Sequence, residues 1–445
     1  MANTSYQVNT RAGSAVKNRN QAETRARIAA AGDRGILKHS HKGLLMRIFI
    51  AGVDGYLGWP LAQYLANRGH EVAGADLFLR RNWVSEMGSD SMLPISPMSE
   101  RLVAFEERYP GGLKFYEGDL RDYSFVEGIF REFQPEAVVH LGEMPSAPYS
   151  MIDIEHTAFT QTNNLVGTLN LLYAIRDETP QAHLVKLGTM GEYGTPAVDI
   201  PEGFFEIEYR GRKDRLPFPR QAGSWYHWSK VHDSNNVMFA CKIWGLRSTD
   251  IMQGVVFGTQ IDEMGEDERF LSRFDIDQSF GTAVNRFCAQ AVIDHPITLF
   301  GKGHQKRGFL PLRDSMQCLG LTIENPPEEG EYRVFNQFEE IYDVTDLAHK
   351  IKKVGESLGL AVEVSNLENP RMEMEEHYYN PDHQHLLDLG YQPTLDVEAE
   401  MKIMMQDLLK YRDKIEKYRE VLIPDIRWDG TRRSSEFLEG VAESS

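Results

Sequence analysis

Tyr226 and Lys230 stand four residues apart in Tyr226-His-Trp-Ser-Lys230. On a helix that spacing puts both on one face, where the ammonium favours a phenolate and the phenolate can take a proton from a substrate hydroxyl. Thr189, just past the strand-like run 183–187, can share a hydrogen bond with the same hydroxyl. Tyr-x-x-x-Lys recurs by chance, and its weight here comes from a second feature upstream. Gly52-Val-Asp-Gly55-Tyr56-Leu57-Gly58 follows a short apolar run and opens a helical stretch. Glycines in such a turn let backbone approach a pyrophosphate, and the helix N-terminus points N–H groups at the anion. Asp76 follows 18 residues after Gly58, the interval at which an acid meets a ribose 2′-hydroxyl. That favours NAD over NADP, while the adjacent Arg80 and Arg81 would suit a 2′-phosphate. Asp119, in Gly118-Asp119-Leu120, suits either an adenine contact or a helix cap. No metal-ligand spacing occurs.

These residues need a frame that brings strand ends to one edge. From Met46 onward, short β-branched runs at 46–51, 70–75, 113–116, 137–141 and 183–187 alternate with helical stretches at 57–68, 123–133, 157–176 and 223–244. That alternation is the signature of βαβ units, so the expected fold is α/β: a Rossmann-type doubly wound parallel sheet with a smaller C-terminal substrate-binding lobe. The expected division is a basic extension at 1–45, an NAD-binding domain at 46–250, a substrate-binding lobe at 251–425 with segments returning to the main sheet, and a tail at 426–445. A strand at 332–336 and an amphipathic helix at 397–419 belong to the second half. A chain of 445 residues exceeds what one core usually supports, which fits two lobes or an enlarged domain.

Composition excludes several functions. The formal charge of −18 would repel a polyanion, so nucleic acid is not an expected partner. Eight basic residues against two acids give segment 1–45 a charge of +6 and leave −24 for the rest. The segment is read as a flexible or oligomer-contacting extension, or as an organelle-targeting peptide. Cys241, Cys288 and Cys318 are odd in number and widely spaced, pointing away from a disulfide scaffold and toward a reducing, cytoplasmic setting. No apolar run is long enough for a membrane helix.

From about Met46 to Pro424 the chain resembles the extended short-chain dehydrogenase/reductases that act on nucleotide sugars, and among them the UDP-sulfoquinovose synthase family. The matching stretches are 138–143, 146–153, 184–196, 226–234, 253–256 and 333–338. The resemblance implies bound NAD, oxidation of UDP-glucose at C4, elimination at C6, sulfite addition and re-reduction at C4. It makes Thr189, Tyr226 and Lys230 the catalytic trio. It extends the cofactor contacts to Leu120, Leu141, Gly142, Asn164, Gln253 and Val256. Substrate contacts would come from Glu143, Met190, Gly191, His227, Gln253, Arg286, Gln305, Arg307 and Arg313. Met190 and Gly191 stand where a 4,6-dehydratase carries Asp-Glu. Met144 and Pro145 replace a Gln-Arg pair of the family, and neither can pair with an anion as an arginine would. The nucleophile is therefore open between sulfite and another group. A nucleotide-sugar 4-epimerase or 4,6-dehydratase, and a non-catalytic NAD-binding relative, are the alternatives. A homodimer is expected from the family.

Overall fold

Successive side chains of a strand point to opposite faces, and Ile48 and Ile50 of β1 (Arg47–Ala51) enter one apolar core while Phe49 and Ala51 enter another. A strand buried on both faces belongs to a parallel sheet covered by helices on each side. The computed structural model describes residues 45–371 and 377–429. Apart from Leu45, the basic extension lies outside the described residues, as does the tail beyond residue 429.

After β1 come α1 (Gly58–Asn67), β2 (Glu71–Asp76), α2 (Leu79–Glu86), α3 (Met98–Arg108), β3 (Leu113–Glu117), α4 (Tyr123–Phe133), β4 (Ala137–His140), α5 (Ile154–Glu178) and β5 (His183–Thr189). A hairpin of β6 (Phe204–Tyr209) and β7 (Arg212–Pro217) precedes α6 (Trp225–Trp244), β8 (Arg247–Gln253) and β9 (Val255–Phe257). The remainder holds α7 (Ala283–Val292), β10 (Ile297–Phe300), β11 (Lys306–Pro311), α8 (Leu312–Glu324), β12 (Tyr332–Gln337), β13 (Glu340–Asp343), α9 (Val344–Ser357), β14 (Val364–Leu367), α10 (Gln384–Asp388), α11 (Val397–Leu409) and α12 (Arg412–Lys417).

Seven strands form one sheet in the order β12-β8-β5-β4-β1-β2-β3, every neighbouring pair parallel. The fold is the expected Rossmann-type doubly wound sheet. Its order reverses between β1 and β4, and the crevice outside the carboxyl ends of those strands is where such sheets bind ligands. Leu61, Leu65, Phe105, Met316 and Leu319 cover one face, and Ile129, Phe130, Leu171, Ile175 and Val237 the other. Each fully buried side chain of this kind is worth about 1.5–3 kcal/mol. The edge strand β12 is drawn from the C-terminal half and pairs with β8 from Tyr332↔Ser248 to Gln337↔Gln253. A third core, built on Phe287, Leu299, Phe309, Ile351, Met404 and Leu408, supports the smaller sheets β10-β14 and β13-β11-β9.

Two stretches depart from the sequence pattern. The helix expected at 397–419 breaks where Tyr411 leaves helical geometry (φ −116°, ψ 20°), which redirects the chain so that Ile415 of α12 reaches the third core. The β6–β7 hairpin was not foreseen. Phe204 and Phe205 anchor its base on the second core, while Glu206, Glu208, Arg212, Lys213, Asp214 and Arg215 keep the rest of it polar, with cross-strand pairing such as Lys213–Glu208.

Candidate active site

The turn after β1 needs glycine for a steric reason. A Cβ on Gly58 would lie 2.2 Å from the Gly52 carbonyl oxygen, so only a bare backbone lets α1 begin this close to the strand. No side chain caps the N-terminus of α1, whose positive end therefore faces the adjoining cavity, the place for a diphosphate. Asp76 closes β2. Its carboxylate accepts the N–H of Asp54 at 2.9 Å and of Phe78 at 2.7 Å, while burial and the nearby Asp54 carboxylate raise it to about 6.

The cavity has a volume of about 880 Å³. Of the expected cofactor residues, Gly52, Gly55, Tyr56, Leu57, Gly58, Asp76, Arg80, Asp119, Leu120, Leu141, Gly142, Gln253 and Val256 line it. So do Glu143, Thr189, Met190, Gly191, Tyr226, His227, Lys230, Arg286, Gln305 and Arg307 from the reaction and substrate sets. The residues thus fit a dinucleotide at the glycine turn and a second anionic ligand among the arginines.

Three expected residues are placed elsewhere. Arg81 donates to both oxygens of Asp54 at 2.8 and 2.7 Å, sharing that buried carboxylate with Arg101, and does not line the cavity. Arg313 pairs with Glu400 and with Asp262, tying α8 to α11. Asn164 lies behind the wall, where it accepts the Met144 N–H at 2.7 Å and donates to the Met144 carbonyl at 3.2 Å and to Ser229 Oγ at 2.9 Å. It fixes the loop after β4 against α6. In each case a nearby partner of opposite charge or matching hydrogen-bond geometry claims a residue whose type alone suggested a ligand.

Helix α6 brings the reaction residues together. Ser224 caps it, accepting the His227 N–H at 3.2 Å, and the same Oγ lies 2.9 Å from His227 Nδ1. His227 Nε2 stands where a side chain at position 191 would go: a Cβ on Gly191 would be 2.3 Å from it. Burial pushes this imidazole down to about 3, with the positive charges of Arg371, Arg307 and Lys230 adding to the effect, so it is neutral. Tyr226 is raised, first by burial and then by the charges of Glu143 and Glu192. Lys230 donates to the Leu187 carbonyl at 2.6 Å, and its Nζ lies 5.9 Å from the Tyr226 ring centre. Thr189 accepts the Gly191 N–H at 3.1 Å.

Beneath the site lies a sealed charged cluster. Lys186 donates to Ser234 Oγ at 2.8 Å and stands 3.4 Å from Asp250 and 3.6 Å from Glu192. Arg220 pairs with Glu192, and the Tyr332 hydroxyl donates to Asp250 at 2.7 Å. Such a cluster is stable only when its charges are mutually satisfied, as these are.

Sequence reasoning missed several cavity residues: Trp83 stacked on Phe280 at 6.2 Å, Arg371, Tyr379 and Trp428. Trp428 belongs to the stretch read as a tail. Its backbone N–H donates to the Pro370 carbonyl at 3.0 Å, and its ring lies 5.3 Å from the Arg371 guanidinium. Trp83 lies within α2 and the other three in irregular stretches, and none belongs to a motif that could have announced it.

The model of the NAD dependent epimerase/dehydratase family matches residues 48–336. Two relatives are similar over nearly all of the described fold. UDP-sulfoquinovose synthase of Sulfolobus acidocaldarius is 48% identical over 86% of this chain and 98% of its own length. The chloroplastic UDP-sulfoquinovose synthase of Spinacia oleracea is 46% identical, over 86% of this chain and 79% of its own. The chain belongs to the UDP-sulfoquinovose synthase family, within the NAD-dependent epimerases and dehydratases. Its fold agrees with solved members of the wider group. A UDP-glucose 4-epimerase of Thermotoga maritima with UDP-glucose superposes with a TM-score of 0.60 at 19% identity, covering 85% of this chain and all of that one. A UDP-glucuronic acid 4-epimerase of Bacillus cereus in complex with UDP-glucuronic acid and NAD gives 0.60 at 18% identity, over 84% and 100%. The chain is thus an NAD-dependent nucleotide-sugar enzyme, as its family and the glycine turn both indicate. Among the described residues no helix is long and apolar enough to cross a membrane, and no group of three His, Cys, Asp or Glu side chains could hold a metal.

Proposed function

We propose that the chain converts UDP-glucose and sulfite to UDP-sulfoquinovose, with NAD held along Gly52–Gly58, Asp76 and Asp119 and the sugar nucleotide held toward Arg286, Gln305 and Arg307. The observation that carries this reading is the joint placement of Thr189, Tyr226, Lys230 and His227 on one cavity with the glycine turn. Bound NAD supplies a hydride acceptor for C4 and returns the hydride at the end, so the sequence is redox-neutral. Tyr226 takes the proton of the 4-hydroxyl at its phenolic oxygen, and Thr189 Oγ1 orients that hydroxyl. The resulting ketone acidifies the C5 hydrogen. Positions 190 and 191 carry no acid or base for that proton, and the His227 imidazole, held neutral by burial and three nearby cations and backed by Ser224, orients the reacting sugar rather than taking its proton. Loss of the C5 proton lets the C6 hydroxyl, once protonated, leave as water.

Met144 is fully buried, with its sulfur accepting the Ser146 N–H at 3.3 Å, and Pro145 lines the cavity without a donor. Neither of these two side chains therefore offers sulfite a donor. The test is incubation with UDP-glucose, with and without sulfite, followed by mass spectrometry. A sulfonated nucleotide sugar that forms only with sulfite is expected; UDP-galactose or a 4-keto-6-deoxy sugar would sink the reading. Tyr226→Phe should abolish turnover.

A homodimer is also proposed. Tyr173 of α5 and Trp225, Phe239 and Ile243 of α6 leave large apolar side chains exposed on two helices that pack together, Phe239 at 59% and Trp225 at 51%. Sedimentation should give a dimer that Phe239→Glu converts to monomer. The three cysteines are buried and unpaired, which supports a reducing, cytoplasmic setting.

A further inference from the structure

Glu143 follows β4 by three residues, and Lys230 lies one turn beyond Tyr226 on α6. Their side chains meet with Oε2 and Nζ 2.7 Å apart, and they are only 1% and 4% exposed. Among the described residues neither Glu143 oxygen accepts a directed hydrogen bond, so charge and packing hold the pair. Its position is set from behind. Asn164 clamps the backbone of Met144, the next residue, and His140 Nε2 stands 3.4 Å from the second Glu143 oxygen while contacting Thr168 Oγ1 at 3.1 Å.

The charge around Tyr226 comes from several elements. β4 contributes His140 and the loop after it Glu143, β5 Lys186, the turn at Met190–Glu192 contributes Glu192, β8 Asp250 and α2 Arg80; α6 itself carries His227, Lys230 and Asp233. Most of these are already balanced. Lys186 is shared by Asp250 and Glu192, Arg220 covers Glu192, and Arg80 pairs with Asp275 at 2.9 Å. His140 and His227 are neutral, and burial pushes the Asp233 carboxyl well above the carboxylate range. The Lys230 ammonium is thus the cation beside the phenol whose balance rests on one carboxylate.

We propose that Glu143 is a positioning residue, a buried counter-charge that fixes Lys230 and screens its charge from Tyr226. Without ligands the enzyme then holds Tyr226 as a phenol. The role rests on the reading of Tyr226 as the proton acceptor, and its test needs no turnover.

The test is a near-ultraviolet phenolate titration of the purified full-length chain from about pH 6 to the most alkaline pH at which circular dichroism shows it folded, from which the titration of Tyr226→Phe is subtracted. In the wild type the Tyr226 signal should rise only at the alkaline end. In Glu143→Gln it should rise about one pH unit or more earlier, the size expected when a neighbouring carboxylate is removed. Glu143→Asp, which keeps the charge but draws it back by one methylene, should shift the signal less and in the same direction. Circular dichroism establishes that each variant is folded; if Glu143→Gln is not, the sign of the Glu143→Asp shift decides. An unmoved Tyr226 signal in the folded variants overturns the proposal, even if they lose turnover, because a merely structural role would spare the titration. A shifted titration in a protein that makes no sulfonated sugar would instead sustain the counter-charge and sink the proposed reaction.

Discussion

On the proposed reading the two ends of the cavity meet anions by different physics. At the glycine turn the attraction is made of backbone dipoles at the start of α1, with no arginine spent on it: Arg81 is committed to Asp54 and Arg80 to Asp275. At the far end three guanidinium groups, Arg286, Arg307 and Arg371, face the same space. Dipoles act only within about the first turn of a helix, whereas full charges reach about a Debye length. The first end therefore demands close fit and tolerates salt. The second draws its ligand in from farther off, which a body of charge −24 otherwise discourages.

The sharpest way to break this contrast is at Gly58. Gly58→Val places carbon against the Gly52 carbonyl and should weaken NAD binding by about a hundredfold or more, consistent with the loss of a close-fitting dinucleotide turn. Calorimetry with NAD reads it, and UDP binding should be nearly unchanged. Next in size, Arg307→Ala should weaken UDP binding about tenfold to a hundredfold, as removal of a charge-assisted contact does, and leave NAD affinity alone. Equal losses for both ligands in either variant would mean the ends are not separate. A smaller effect is expected from pH. On the proposed reading Asp76 is the stronger acceptor for ribose hydroxyls as a carboxylate, and its value of about 6 means NAD affinity should fall as pH drops through that region; Asp76→Asn should flatten the profile. Smallest is the effect of salt: raising it from about 0.05 to 0.5 M should weaken UDP binding several-fold more than NAD binding.

The same contrast explains what could be read in advance. The cofactor end is local: Gly52, Gly55, Gly58 and Asp76 lie within one βαβ unit, and a pattern of types and intervals specifies it. Tyr226, Lys230 and Thr189 could be singled out for the same reason, since one helix and one strand end carry them to the cavity. The far end is assembled from residues 286, 307, 371 and 428, which no short interval links, so Arg371 and Trp428 went unnoticed. Arg81, Arg313 and Asn164 were misplaced because residue type says what a side chain can bind but not which neighbour reaches it first. Asp54, Glu400 and the backbone of Met144 did.

The edge strand β12 carries a consequence for synthesis. A ribosome that has released residue 253 has already delivered Thr189, Tyr226 and Lys230, yet Asp250 then lacks the Tyr332 hydroxyl and β8 lacks its outer neighbour. Domains tend to fold from the N-terminus as they emerge, so a nascent chain can form most of the nucleotide sheet early. Its reaction centre is completed only when Tyr332–Gln337 docks along β8, nearly eighty residues after the last strand of the first half. Catalytic competence is in this way timed to the arrival of the strand that closes the sheet, and a truncated product would carry every reacting group without a finished floor beneath them.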